Sequence, residues 1–195
     1  CDALHYPAVH AALESWRREM APLPLAVQAS VALIEDRVPA WQPVIWPRPN
    51  LKTLRPEQQA AQWAWDRVGR GCVVMPTGTG KTDVALAIIC QLSLSTLIVA
   101  PVRDLMYQWH RRLEAATGYD AGIIGDNTFR VQPVSVTTYD SACIHMERLG
   151  QQFALVVFDE CHHLPGAVRR DAARMSAAPF RLGLTATPER GDGRH

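Results

Sequence analysis

Cys72-Val73-Val74-Met75-Pro76-Thr77-Gly78-Thr79-Gly80-Lys81-Thr82 is the stretch that decides the fold. An apolar run of strand length passes into a Gly-rich turn, and the turn passes into a helical pattern. Strand, Gly-rich loop and helix in that order are the context a phosphate-binding loop requires. Glycines let the backbone amides turn inward on phosphate oxygens, and the helix N-terminus adds positive potential. Thr77, Gly78, Thr79 and Gly80 form the cradle. Lys81 then reaches the β and γ phosphates, and the Thr82 hydroxyl is placed to hold Mg2+. The usual pattern carries a further Gly five residues before Gly80, where this chain has Met75.

On either side of this loop the pattern is regular. Short apolar strands are expected at 71–75, 96–100, 134–138, 154–158 and 181–184. Helices are expected at 54–67, 81–92, 103–116, 140–149 and 167–175, the first with Pro56 in its opening turn, where proline is tolerated. Continuous apolar strands alternating with helices imply a parallel sheet covered on both faces, the α/β class. No repeat or low-complexity segment interrupts it.

The first fifty residues read differently. Val9, Leu13, Trp16 and Met20 recur at helical spacing over 8–20, a stripe that suits packing against a neighbour. Residues 21–50 are Pro-rich, with Pro39, Pro43, Pro47 and Pro49 around Trp41 and Trp46, which forbids a long helix or a central strand. The two tryptophans either pin this linker to the domain or offer a stacking platform for bases. The expected division is therefore a tail and linker over 1–50 and an α/β domain over 51–195. The chain begins at Cys1 and stops at Gly191-Asp192-Gly193-Arg194-His195 without a closing element, which suggests a piece of a longer protein.

Composition narrows the class. Of 195 residues 48% are apolar, enough for a sizeable core, and the net charge is +1, so no basic excess announces a nucleic-acid partner. Five cysteines without a C-x-x-C pair suit a reducing, intracellular setting, cytoplasmic or in a nucleoid or nucleus, and argue against a disulfide frame. No apolar run is long enough for a membrane helix.

A second motif follows some eighty residues on. Leu155-Val156-Val157-Phe158-Asp159-Glu160 is an apolar strand ending in two carboxylates. Beside a phosphate loop, Asp159 can hold Mg2+ and Glu160 can orient and deprotonate an attacking water. The run Cys161-His162-His163 has the residue types of a metal site but not its spacing, since adjacent residues rarely converge on one ion. Thr185 and Thr187 in Leu184-Thr185-Ala186-Thr187-Pro188 either couple the nucleotide site to another face or cap a turn. Gln58 in Leu54-Arg55-Pro56-Glu57-Gln58 either reads adenine through its amide or caps the following helix.

Taken in order, these motifs resemble the superfamily 2 helicases, and within them the XPB-like branch, from residue 54 to residue 195. Arg55 and Gln58 stand at the adenine-reading motif of that family and residues 76–82 at motif I. Ala100-Pro101-Val102-Arg103 through Gln108-Trp109 resembles motif Ia, and Thr137-Thr138-Tyr139-Asp140 resembles motif Ib. Asp159-Glu160-Cys161-His162 matches motif II in its D-E-x-H form, and Thr185-Ala186-Thr187 matches motif III. The narrower XPB-like likeness lies in 137–142, 161–165 and 178–195, where Arg190-Gly191-Asp192 stands at the Arg-Glu-Asp triplet of that branch.

The resemblance implies a RecA-like domain that binds ATP and Mg2+, with Lys81 and Glu160 in catalysis. Single-stranded DNA would lie across Arg103 and Thr138, with Arg190 and Asp192 near a duplex junction. His162, Thr185 and Thr187 would couple ATP to the strand. It also implies a second RecA-like domain carrying the remaining motifs. The expected function is an ATP-dependent DNA helicase or translocase of repair or transcription. A translocase of a restriction or remodelling system and a non-catalytic nucleotide-binding module are the alternatives.

Overall fold

The computed structural model describes residues 41–163 and 173–187, together with Ala11, Ala12, Ser15 and Arg18, all four helical. The apolar stripe expected over 8–20 and most of the Pro-rich segment lie outside the described residues.

Helix α1 spans Pro56–Asp66. It starts two residues later than expected because Arg55 precedes a proline and is held extended (φ −70°, ψ 160°). Then come β1 Arg70–Val74, α2 Lys81–Leu92, β2 Thr96–Ala100 and α3 Arg103–Thr117. A hairpin of β3 Gly122–Gly125 and β4 Thr128–Arg130 follows. The remainder is β5 Val134–Thr138, α4 Tyr139–Leu149, β6 Leu155–Asp159, a 3-10 turn Cys161–His163 and β7 Phe180–Thr185. Of the helix expected over 167–175, only Ala173, Arg174 and Met175 are described; the first two are helical and Met175 lies in the bend that follows.

The strands form one seven-stranded sheet in the order β1-β7-β6-β2-β5-β3-β4. Every pairing is parallel except the β3–β4 hairpin. β2 and β5 are buried at all five positions, which explains why their sequences are continuous rather than alternating. One core, built around Ile98, Val136, Val157 and Leu182, is covered by residues of α1, α2 and α3, including Trp65, Ile88 and Met106. The opposite core, around Leu97, Val99, Val156 and Phe158, is covered from α4 by Tyr139, Met146 and Leu149. Removing any such side chain from water contributes about 1.5–3 kcal/mol.

Two features go beyond the sequence reading. The β3–β4 hairpin was not expected. Its two-residue turn, Asp126-Asn127, has positive φ at both positions (50° and 57°), the mirror-image turn that suits a tight hairpin. β7 inserts between β1 and β6, so the phosphate-loop strand and the Asp159 strand are not neighbours.

Residues 42–50 lie along the domain. Ser95 N donates to Gln42 O, Val44 N to Ser93 O, and Arg48 N to Thr117 O, each at 2.8 Å. Trp46 donates Nε1 to Ser93 Oγ at 3.1 Å and meets Tyr119 edge-to-face at 5.7 Å. Of the two readings of this tryptophan, the pin matches its contacts.

Candidate active site

Parallel strands align their carboxyl ends, so the loops leaving β1, β6, β7, β2 and β5 share one edge of the sheet, the usual ligand edge of an open α/β fold. The phosphate loop leaves β1 and ends at Gly80, the N-cap of α2, with φ +85°. Glycine is required twice over at that position. The left-handed conformation disfavours other residues, and a Cβ there would collide with the Gln58 amide. Thr79 closes the loop on itself, donating Oγ1 to Pro76 O at 2.5 Å. Gly78 (φ +80°) faces open space. Thr77 is exposed, and Thr82 is half-buried on the first turn of α2.

Lys81 is buried, and its ammonium donates to Met75 O at 2.9 Å. Among the described residues no carboxylate is paired with it. A buried cation resting on a neutral carbonyl suits an anionic ligand.

The Gln58 amide is engaged at both its oxygen and its nitrogen. Its oxygen accepts from Arg55 N at 2.8 Å, capping α1. Its nitrogen donates to Thr79 O at 2.9 Å and to Gly80 O at 3.4 Å. Arg55 also donates to Thr79 O, while its Nε pairs with Glu57 at 2.9 Å. In this structure both residues brace the phosphate loop. The Gln58 amide thus makes the cap and the brace, while its oxygen retains a second lone pair.

Asp159 is held from three sides. Trp109 of α3 donates Nε1 to its Oδ2 at 2.9 Å, Glu160 N donates to its Oδ1 at 3.0 Å, and Tyr139 OH donates to its carbonyl at 3.0 Å. Burial raises its pKa and the Glu160 charge adds to the rise, against the hydrogen bond from Trp109 and the Lys81 charge. A half-buried carboxylate held by two donors, its ionised form penalised by burial, fits a divalent cation beside Lys81, with the Thr82 hydroxyl as a further oxygen donor.

Glu160 adopts φ +48°, in the left-handed region costly for a residue with a Cβ. The strain is fixed by the turn that follows, in which His163 N donates to Glu160 O at 3.0 Å. His162 then joins two strands. Its Nδ1 is 3.0 Å from Thr185 Oγ1 and 3.4 Å from Glu160 Oε2. Thr185 donates its own hydroxyl proton to Thr187 O at 2.8 Å and accepts from Thr187 N at 3.2 Å. With the Thr185 hydroxyl donating to Thr187, the tautomer that satisfies this contact carries its proton on Nδ1. Thr185 thus caps its turn and contacts His162 as well, while Thr187 contributes backbone groups. Met75 N also donates to Thr185 O at 3.1 Å, tying the phosphate loop to the same junction.

The expected nucleic-acid residues are placed differently. Arg103 opens α3 and pairs with Asp126 at 2.8 Å. Asp126 also accepts from Tyr107 OH at 2.9 Å. Thr138 is buried, and its side chain caps α4, accepting from Ser141 N at 3.2 Å and donating to Ser141 Oγ at 3.1 Å. Its hydroxyl serves the helix. Arg190 and Asp192 lie outside the described residues.

Sequence reasoning missed the bond from Trp109 and the support from Tyr139. No local signal marks either, because the partners are 50 and 20 residues apart. The positive-φ pair Asp126-Asn127, by contrast, was available as a turn signal.

A profile of the family described as "Type III restriction enzyme, res subunit" matches residues 51–190. The chain is 48% identical over 142 residues to the DNA 3'-5' translocase XPB2 of Sulfurisphaera tokodaii, covering 73% of this chain and 32% of that protein. It is 34% identical over 152 residues to the DNA 3'-5' helicase XPB of Mycobacterium tuberculosis, covering 72% and 28%. The chain thus spans about a third or less of the length of these curated relatives. Among solved structures it resembles the Pyrococcus furiosus Hef helicase domain, with a TM-score of 0.59 at 22% identity over 70% of this chain and 34% of that one. The likeness shows the fold, that of a RecA-like helicase domain. No helix among the described residues is long and apolar enough to cross a membrane.

Proposed function

Because this chain belongs to the type III restriction enzyme res-subunit family and to the XPB-like branch of the superfamily 2 helicases, we propose that it is the ATP-hydrolysing motor domain of a DNA helicase or translocase. One observation carries the reading: Lys81, Asp159, Glu160, His162 and Thr185 gather at the ends of three adjacent strands.

Lys81 and the loop amides receive the phosphates, exchanging the Met75 carbonyl for phosphate oxygen. Asp159 and Thr82 would hold Mg2+, which when bound neutralises charge on the phosphates. Glu160, strained into place, takes the proton of the attacking water. His162 is bonded to Thr185 and lies beside Glu160, so a change at Glu160 is felt on β7. DNA would lie along the ends of β2 and β5, near Arg103 and Thr138, with Arg190 and Asp192 toward a junction. Arg55, half-exposed at the loop, and Gln58 stay the candidates for adenine. Such a protein would act where DNA is, in the cytoplasm, nucleoid or nucleus, in repair or transcription.

Phosphoryl transfer needs charge stabilisation from both sides of the γ-phosphate. These residues lie on one side, so a second RecA-like domain is the partner expected to supply the other. An arginine from that domain would stabilise the γ-phosphate charge, and removing an arginine in that role costs on the order of a thousandfold or more. ATP turnover by the 195-residue chain should therefore stay near background with or without DNA, and return when a second motor domain is joined to it. Robust DNA-stimulated hydrolysis by the chain alone would overturn the two-domain reading. The family profile also favours a translocating restriction subunit. The two readings separate in a strand-displacement assay, in which a pure translocase moves on duplex DNA without opening it.

A further inference from the structure

Beside the Asp159–Glu160 turn, two thiols meet. Cys72 lies on β1 opposite Gly183 of β7. Cys161 opens the 3-10 turn directly after Glu160. Their sulfurs stand 3.7 Å apart although 89 residues separate them in the chain. Gly183 permits the meeting. A Cβ there would stand 2.7 Å from Cys72 Sγ and 2.9 Å from Cys161 Sγ, closer than real contacts allow. The bare backbone of β7 is the floor on which both sulfurs rest. Cys72 is exposed and Cys161 partly so, which leaves the pair open to a small oxidant.

We propose that Cys72 and Cys161 form a redox-modification site, in which a hydroperoxide converts the pair to an intramolecular disulfide that disables the ATP site. In the first step the Cys72 thiolate attacks the peroxide. An S–O bond forms, the O–O bond breaks, and the departing oxygen takes a proton from solvent to leave as alcohol, or as water from hydrogen peroxide. In the second step the Cys161 sulfur, its proton lost to solvent, attacks the sulfenic sulfur of Cys72. An S–S bond forms, the S–O bond breaks, and hydroxide leaves as water. The two thiols lose two electrons in all, and the peroxide gains them.

The consequence follows from where Cys161 sits. To bond, the sulfurs must close from 3.7 Å to about 2.05 Å. Cys72 is on a strand paired along its length with β7, whereas Cys161 is on a short turn, so the turn yields. That turn carries His162, and its first hydrogen bond fixes the left-handed Glu160. Displacements near 1 Å in such sites are costly. This effect on the site rests on the ATP-site reading given above; the disulfide itself does not.

The test uses the reduced 195-residue chain treated with hydrogen peroxide, alkylated, digested without reductant and mapped by mass spectrometry. A linked Cys72–Cys161 peptide, released by dithiothreitol, is expected. A fluorescent Mg·ATP analogue should bind the oxidised chain more weakly, on the order of tenfold or more, with recovery on reduction. Cys72→Ser should keep its affinity through the same treatment, and Cys90→Ser should lose it as the unaltered chain does. Sulfinic acid at Cys72 with no link, or a link through another cysteine, overturns the site. A linked chain that binds the analogue as the reduced one does overturns the switch. If the reduced chain binds no analogue, the ATP-site reading and the switch fall together, while the peptide map still decides whether the thiols pair.

Discussion

At the ends of β1, β7 and β6 the candidate functional side chains hold one another. Asp159 is fixed by Trp109, His162 by Thr185, and the phosphate loop by Gln58 and Arg55. At the ends of β2 and β5, on the same edge, the two expected DNA residues are held by groups of no functional expectation. Arg103 is paired with the hairpin residue Asp126, and Thr138 is spent on a helix cap. The first region is organised before its ligand arrives, and its strained Glu160 is the cost of that order. The second must give up contacts to gain a strand. An exposed ion pair is worth at most about 1 kcal/mol, so Arg103 can exchange Asp126 for phosphate. The Thr138 hydroxyl is buried and has much less freedom to do so.

The sharpest break in this contrast is Lys81→Ala in an enzyme that contains both motor domains. ATP turnover should fall on the order of a thousandfold or more, with the thermal melt still cooperative. Unchanged turnover would remove the phosphate-loop assignment. Glu160→Gln should lower the rate about a hundredfold or more while Mg·ATP affinity is retained, because the amide keeps the shape and cannot take a proton. Affinity collapsing with rate would make Glu160 a structural residue.

The carboxylate at Asp159 sharpens the contrast through pH. Its pKa is raised, chiefly by burial. The protonated form is thus favoured in the ligand-free fold, a contribution present below the ordinary carboxylate range and lost as pH rises through the raised value. Mg2+ needs the ionised form, so Mg·ATP affinity should fall as pH drops through that value. Carbon-13 NMR of the carboxyl should show titration above the usual range, moving down when Mg·ATP binds. Titration at or below the ordinary value would remove the burial argument.

On the other region the effects are smaller. Arg103→Ala should weaken DNA binding severalfold and reduce the salt slope by about one ion. Asp126→Ala should do the reverse, strengthening binding by releasing Arg103. Equal effects of the two would show that Arg103 does not meet phosphate. Thr138→Ala should cost about 1 kcal/mol of stability through the lost cap and leave DNA affinity nearly unchanged. A large loss of DNA affinity with a normal melt would return Thr138 to the interface.

Much of the candidate site was legible because its parts are contiguous. Residues 76–82 declare a phosphate loop from strand, glycines, Lys81 and Thr82 alone, and Asp159-Glu160 declares itself from the apolar strand before it. The alternation of five strands with helices was legible for the same reason, since burial on both faces leaves an unbroken apolar run. The hairpin escaped because β4 has three residues, too few for a pattern. The start of α1 shifted because Pro56 restricts the residue before it more than helical spacing indicates.

By itself, then, the order of residues determined the chemistry available: a phosphate loop, two carboxylates after a strand, and the helices and strands that carry them. Each depends on neighbours within a few positions, where sterics and periodicity act directly. Only the tertiary structure decided which of these groups meet. It set β7 between β1 and β6, which brought Thr185 to His162 across 23 residues and Cys72 to Cys161 across 89, and it set β2 beside β6, so that the helix after β2 brought Trp109 to Asp159 across 50. It also committed Gln58 and Thr138 to caps where the motif alone left them free. The physical reason is that strand order is chosen by burial summed over two cores. That sum is a property of the whole sheet, and no short stretch of the chain contains it.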